Sequence, residues 1–146
     1  MIFSNKHFPL LLFGLAFGLS IASGCSKKAP WEIAYPTKGE VTLKGKPISN
    51  AEIVLHPLDA ECPQTVRPQA RTAADGTFHP WTYREGDGVP AGRYKITVIR
   101  NEVEVSKGTI VAKPNDLPRK YAQKNTTDLE VTILAGNNVL PRLELR

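Results

Sequence analysis

Beyond residue 25, three side chains carry the chemistry of catalysts or soft-metal ligands: His56, His79 and Cys62. Acid–base or nucleophilic catalysis needs such a group beside an orienting partner. Here the three are single and dispersed, with no recognised spacing to one another. Zinc requires several Cys, His or carboxylate ligands converging, so the two histidines read as surface residues on strands, facing away from the core. Cys62 reads as a free loop thiol, because no local motif supplies a base to activate it. Glu85 and Asp87, with Asp75 nearby, offer the oxygen ligands that calcium takes. The spaced-carboxylate loop is incomplete, however, and Asp75-Gly76 is accounted for by a turn. The expectation is therefore no catalytic residue, no metal, no cofactor and no enzyme.

Binding asks less of a sequence: a rigid scaffold, variable loops and an aromatic or charged anchor among them. The stretch that fits is Glu85 to Gly92, shaped by glycine and proline and flanked by Trp81 and Tyr83. Trp81, Tyr83, Glu85 and Asp87 are the candidate interaction surface, suited to a carbohydrate or peptide. The alternative is a plain connection with both aromatics in the core. Exposure of the two rings separates the readings.

The elements that would position these residues are strands. Twelve prolines and eleven glycines fall mostly between apolar runs, and no segment holds helical apolar spacing over three turns. Tyr94, Ile96 and Val98 alternate with Arg93, Lys95 and Thr97 over Gly92 to Arg100, the period of a half-buried strand and the most regular in the chain. Lys38 to Leu43, Ala51 to His56, Leu129 to Leu134 and Val139 to Leu145 alternate too, with Leu143 and Leu145 inward. Gly76, following Asp75, supplies the positive φ of a tight hairpin turn. Thr77 to Tyr83 should be an edge or bulged strand, since Pro80 removes a ladder donor. Pro57 to Ala70 reads as a loop, Glu102 to Ala112 as a weaker extended run, and Asn115 to Asn125 as a connection.

The formal net charge is +5, with basic residues scattered among acids, which argues against nucleic acid as a partner. At the N-terminus, a short basic start is followed by the uncharged run Phe8 to Leu19 and then small residues. That order is a secretory signal peptide, and twelve apolar residues are too few to span a bilayer. Its end, Ile21-Ala22-Ser23-Gly24-Cys25, resembles a bacterial lipoprotein signal, with Ala22 where Leu is usual. The resemblance implies cleavage before Cys25 and acylation of its thiol, hence an exported protein lipid-anchored to a bacterial membrane. Ser26 in place of Asp resembles lipoproteins sorted to the outer membrane, so the outer membrane or periplasmic face is expected over the inner. Cys62 is then the one remaining thiol and no internal disulfide can form. Residues 1–24 are expected as the signal peptide, 25–37 as lipidated N-terminus and tether, and 38–146 as the domain.

The line Gly39-x-Val41, Gly45-Lys46-Pro47-Ile48, Ala51-x-Ile53-x-Leu55-x-Pro57, Thr72-x-x-Asp75-Gly76-x-Phe78, Gly92-x-Tyr94-x-Ile96-x-Val98 resembles the carboxypeptidase regulatory-like domain. Leu117-Pro118-x-x-Tyr121, Thr127-x-Leu129 and Gly136-x-Asn138 are similar to small secreted bacterial lipoproteins built on it. The resemblance implies an all-β, seven-stranded Greek-key β-sandwich of transthyretin-like (prealbumin-like) form. The fold lends no activity of its own. With no catalytic constellation and with the lipoprotein signal, the expectation is a non-catalytic structural or protein-interaction module of the cell envelope, meeting a membrane through its lipid and an unidentified envelope protein or glycan. The Tyr-Arg-Gly-Ser ending of the related purine-pathway hydrolases is replaced here by Leu143-Glu144-Leu145-Arg146.

Overall fold

Strands that alternate apolar and polar residues must bury one face each, and two such sheets do so by stacking. The computed structural model describes residues 27–146. Its strands are β1 (Ala34–Tyr35), β2 (Thr37–Leu43), β3 (Lys46–Pro47), β4 (Glu52–Pro57), β5 (Gln69–Arg71), β6 (Thr77–Phe78) and β7 (Val89–Pro90). They continue as β8 (Gly92–Ile99), β9 (Val103–Ser106), β10 (Thr109–Ala112), β11 (Glu130–Ile133), β12 (Asn138–Val139) and β13 (Leu143–Leu145). Short 3-10 turns occupy Pro30–Glu32 and Arg119–Ala122. One sheet runs β11-β8-β4-β5; the other is built around β2, with β12 and β13 parallel to it and β3 and β6 antiparallel. The result is the expected all-β sandwich.

Backbone bonds show how β2 serves two edges. Pro36 and Lys38 accept from Asn138 and Leu140, and Lys44 donates to Leu145; Val41 donates to Gly76 and accepts from Ile48. Even positions therefore face β12 and β13, and odd positions face β6 and β3, as the strand pleat requires. Val41, Phe78, Leu143 and Leu145 of this sheet share one core with Ile53, Leu55, Tyr94, Ile96, Val98, Val131 and Ile133 of the other. β8 is the middle of its sheet, paired with β4 and β11. Tyr121, buried beside the core, accepts the Arg146 N–H on its hydroxyl at 3.0 Å.

The expected Thr77–Tyr83 strand does not form as one piece. Phe78 is its last residue on β2, and Trp81 pairs instead with Gln69 of the opposite sheet, N–H to O both ways at 2.9 Å. Pro80 lies at the break, where a residue without an N–H loses nothing. This limb thus bridges the two sheets at their edge. The Asp75-Gly76 turn that starts it is as expected: Gly76 has φ +78°, and a Cβ there would lie 2.6 Å from the Val41 carbonyl oxygen. The Glu102–Ala112 run is a hairpin, β9 and β10 in antiparallel register about Lys107-Gly108.

The sandwich has two poles, separated by the length of β8, roughly 25 Å for eight residues. At the Gly92 pole lie β1 paired with β7, the Asp59 loop bonded to Arg93, and the turn leading into β12. Pairing with β7 thus extends the sheet structure back to Ala34, ahead of Lys38. At the Ile99 pole lie the β9–β10 hairpin and the Asn50–Thr72 contact. The expectations for residues 1–24 and Cys25 fall outside the described residues.

Candidate interaction surface

The loop after Trp81 is held by its own acid. Asp87 Oδ1 accepts the Thr82 N–H at 2.8 Å, and Oδ2 accepts the Tyr83 and Arg84 N–H groups, both at 3.0 Å. The Thr82 hydroxyl donates to the Gly88 carbonyl at 2.6 Å. Gly88 has φ +95°, and a Cβ there would lie 1.8 Å from the Tyr35 carbonyl oxygen, so only glycine lets the loop lie against the N-terminal segment. The Tyr83 hydroxyl donates to the Trp31 carbonyl. Of the four residues singled out in the sequence, Asp87 is thus spent on its own backbone and Tyr83 on the N-terminal segment. Glu85 is exposed and makes no side-chain hydrogen bond or ion pair among the described residues.

The two aromatics do not share a cleft. Trp81, half-buried, lines an open cleft of about 310 Å³ with Glu52, Gln69, Ala70 and Arg71. Tyr83, 47% exposed, faces Lys28, Glu32 and Ile33. Bridging the sheets turns the chain between them, a consequence of Pro80 that alternation alone does not reveal.

The remaining chemical candidates stay apart. His56 donates or accepts at Thr97 Oγ1, 2.9 Å away, on the outer face of the four-stranded sheet. Burial, reinforced by the positive charges of Arg67 and Lys124, holds its pKa below the usual histidine value. His79 is exposed and lines a separate groove of about 460 Å³ with Pro36, Lys38, Pro80 and Asn137. Cys62 is a free thiol in a third cleft with Trp31, Asp59 and Arg93. Burial and then the Asp59 charge push its pKa up, which disfavours the nucleophilic thiolate. Asp75 accepts the N–H and hydroxyl of Thr77 at 3.0 and 2.6 Å, serving its turn. Among the described residues no three His, Cys, Asp or Glu side chains converge as a metal site would require.

The most conspicuous surface lies on the Glu102–Ala112 run, which alternation marks only as a weaker extended segment. Every residue of β9 and β10 is exposed. The register sets Val105 opposite Ile110 and Val103 opposite Ala112, so one face of the ribbon is wholly apolar. Val103, Val105 and Ile110 are 71%, 71% and 73% exposed. Polar groups secure the base. Arg100 Nε donates to Asp116 at 2.8 Å and its backbone N–H to Asn115 at 2.9 Å, while Lys113 donates its N–H to Glu102 at 2.7 Å. Lys113 also pairs with Glu104 at 3.1 Å. An isolated two-stranded ribbon is marginal in water, and a contiguous apolar face on a monomer marks a contact site. The signal was present as Val-Glu-Val and Thr-Ile-Val-Ala around Lys-Gly, but such runs read equally as buried strands.

No family model matches the chain, and no curated protein matches it either. Among solved structures, similarity extends to a 9R-lipoxygenase from Cyanothece PCC8801, at 14% identity and TM-score 0.44 over 82% of this chain and 18% of that one. A DUF3823 family protein from Parabacteroides merdae ATCC 43184 is 16% identical, with TM-score 0.42 over 76% of this chain and 45% of that one. A "putative carbohydrate binding protein" from Pseudomonas aeruginosa is 16% identical, with TM-score 0.41 over 77% and 87% respectively. This chain spans less than half the length of the first two. At this level the likenesses bear on neither activity nor ligand.

Proposed function

We propose that the chain is a non-catalytic, lipid-anchored interaction module of the bacterial cell envelope, built on a carboxypeptidase regulatory-like domain. The observation that carries this reading is the apolar face of the β9–β10 ribbon, more than two-thirds exposed at Val103, Val105 and Ile110. Its position fits the anchor. A lipid on Cys25 stands two residues before Lys27, and the segment that follows joins the sandwich at the Gly92 pole through β1. The ribbon leaves from the other end of β8, so it reaches away from the membrane toward a partner. Glu85 and its loop lie at the anchored pole, which favours the ribbon over that loop as the contact surface.

The test places a photo-crosslinking residue at Val105 or at Glu85 in full-length protein in intact cells. Adducts from Val105 and none from Glu85 support the reading. Adducts from Glu85 alone return the surface to the loop. Loss of acyl mass on Cys25→Ala, with release of the protein from membranes, checks the anchor; an unacylated wild type removes it. A second reading, a glycan-binding domain, is favoured by Trp81 beside Glu52, Gln69 and Arg71, a half-buried ring with polar neighbours. Retention on a glycan array lost in Trp81→Ala would support it.

A further inference from the structure

The outer face of the four-stranded sheet carries a row of cations that the module described above does not use. β4 pairs His56 with Lys95 of β8, and β8 pairs Lys95 with Glu130 of β11. On the other side, Gln69 of β5 stands opposite Val54, and Leu55 donates its N–H to Pro68 at 2.8 Å. Continuing that register by two residues sets Arg67 beside His56. The row across the sheet is therefore Arg67, His56, Lys95 and Glu130, with neighbouring strands about 4.8 Å apart.

Lys124 joins the row from the turn after Tyr121. Its ammonium donates to the Pro57 carbonyl at 3.1 Å and to Gln64 Oε1 at 2.8 Å. Arg67 Nε donates to the Gln64 carbonyl at 3.0 Å, so Gln64 holds both cations beside His56. Among the described residues, Arg67, Lys95 and Lys124 form no ion pair, whereas Arg93, Arg100, Lys113, Lys120 and Arg142 all do. The acids on this face are Glu130, beyond Lys95, Asp128, which the same register sets beside Thr97 and which pairs with Lys120, and Glu52, two rows away opposite Arg71. Asp59, at the adjoining pole, is engaged by Arg93.

Arg67 and Lys95 flank His56 and Lys124 reaches the same end of the row, positive groups with no carboxylate among the three, and such a set of unpaired cations attracts an anion. We infer that Arg67, His56 and Lys124 form a binding site for a phosphate-type oxyanion. Arg67 supplies planar N–H donors, Lys124 a point charge, and His56 a third donor once protonated. His56 Nε2 is engaged by Thr97 Oγ1 at 2.9 Å, which leaves Nδ1 as the ring nitrogen for an anion to meet once the imidazole is protonated. Binding therefore strengthens as pH falls through the imidazole titration. The depressed basicity of His56, caused in part by these same two cations, is what a bound anion relieves.

The experiment follows the His56 ring protons by NMR in the full-length chain, held in neutral detergent, with His56→Gln for assignment. The probe is inorganic phosphate, with sulfate as a mimic of constant charge, each against sodium chloride at equal ionic strength. The expected result is a saturable rise of the His56 pKa by roughly half a unit beyond that in chloride. The rise is lost in Arg67→Ala/Lys124→Ala and kept in Lys113→Ala, at the far pole. A second arm uses vesicles with and without phosphatidylglycerol. A rise only with the anionic vesicles makes the source a lipid headgroup, and a rise with inorganic phosphate makes it a free or glycan-borne phosphate. A shift no larger than in chloride in both arms, or one that never saturates, overturns the proposal.

Discussion

Replacing Asp87 with alanine separates a residue that builds the loop from one that meets a partner. Its carboxylate accepts three backbone N–H groups, at 2.8, 3.0 and 3.0 Å. Hydrogen bonds to a charged acceptor contribute about 1.5–3 kcal/mol each, but the loop is half in water, where the freed N–H groups re-solvate, so about 1 kcal/mol each is the better figure. The loss is then about 3 kcal/mol. For a domain of this size that lowers Tm by roughly 10 °C. Asp87→Asn retains one carbonyl oxygen, able to serve either Thr82 or the Tyr83–Arg84 pair, so about half the loss should remain. Glu85→Ala, two residues away and exposed, should change stability by less than about 0.5 kcal/mol. The assay is thermal unfolding by circular dichroism of the full-length variants in neutral detergent. Equal Tm for Asp87→Ala and Glu85→Ala would refute the reasoning and restore Asp87 as a free surface anchor.

Two further outcomes follow from the core and from the outer sheet face. Ile96→Asp puts a charge at a fully buried position between the sheets and should cost several kcal/mol, enough to leave little folded protein by circular dichroism; a native-like melt would contradict the packing. Because the folded pKa of His56 is lowered, the unfolded chain binds its proton first as pH falls below about 6.5. The stabilisation from neutral His56 is complete above that pH and is lost as pH drops toward the folded pKa. His56→Gln should flatten the decline of denaturation midpoint over that window, and an unchanged slope would assign the decline to other groups.

Much of this architecture is legible in residue order. Alternation in Ala51 to His56, Gly92 to Arg100 and Leu129 to Leu134 marks strands because a pleat turns successive side chains to opposite faces. Ile53, Leu55, Tyr94, Ile96 and Val98 are buried on the shared faces it marks, and in the third run the buried residues are Val131 and Ile133. Gly76 is legible for the same local reason, since only its own backbone angle is at stake. Cys25 is a matter of sequence alone. What residue order left open depends on partners far along the chain. Pro80 announces a break in a ladder, but which sheet Trp81 rejoins is decided by Gln69. Asp87 looks like a surface acid until folding places Thr82, Tyr83 and Arg84 around it. The row of Arg67, His56 and Lys95 exists only through the register of separate strands, and pairing register is set by the shared core rather than by neighbours in sequence. The β9–β10 ribbon is the sharpest case: Val103, Val105 and Ile110 have the composition of a core strand, and they stand in water because among the described residues nothing packs over them at the Ile99 pole.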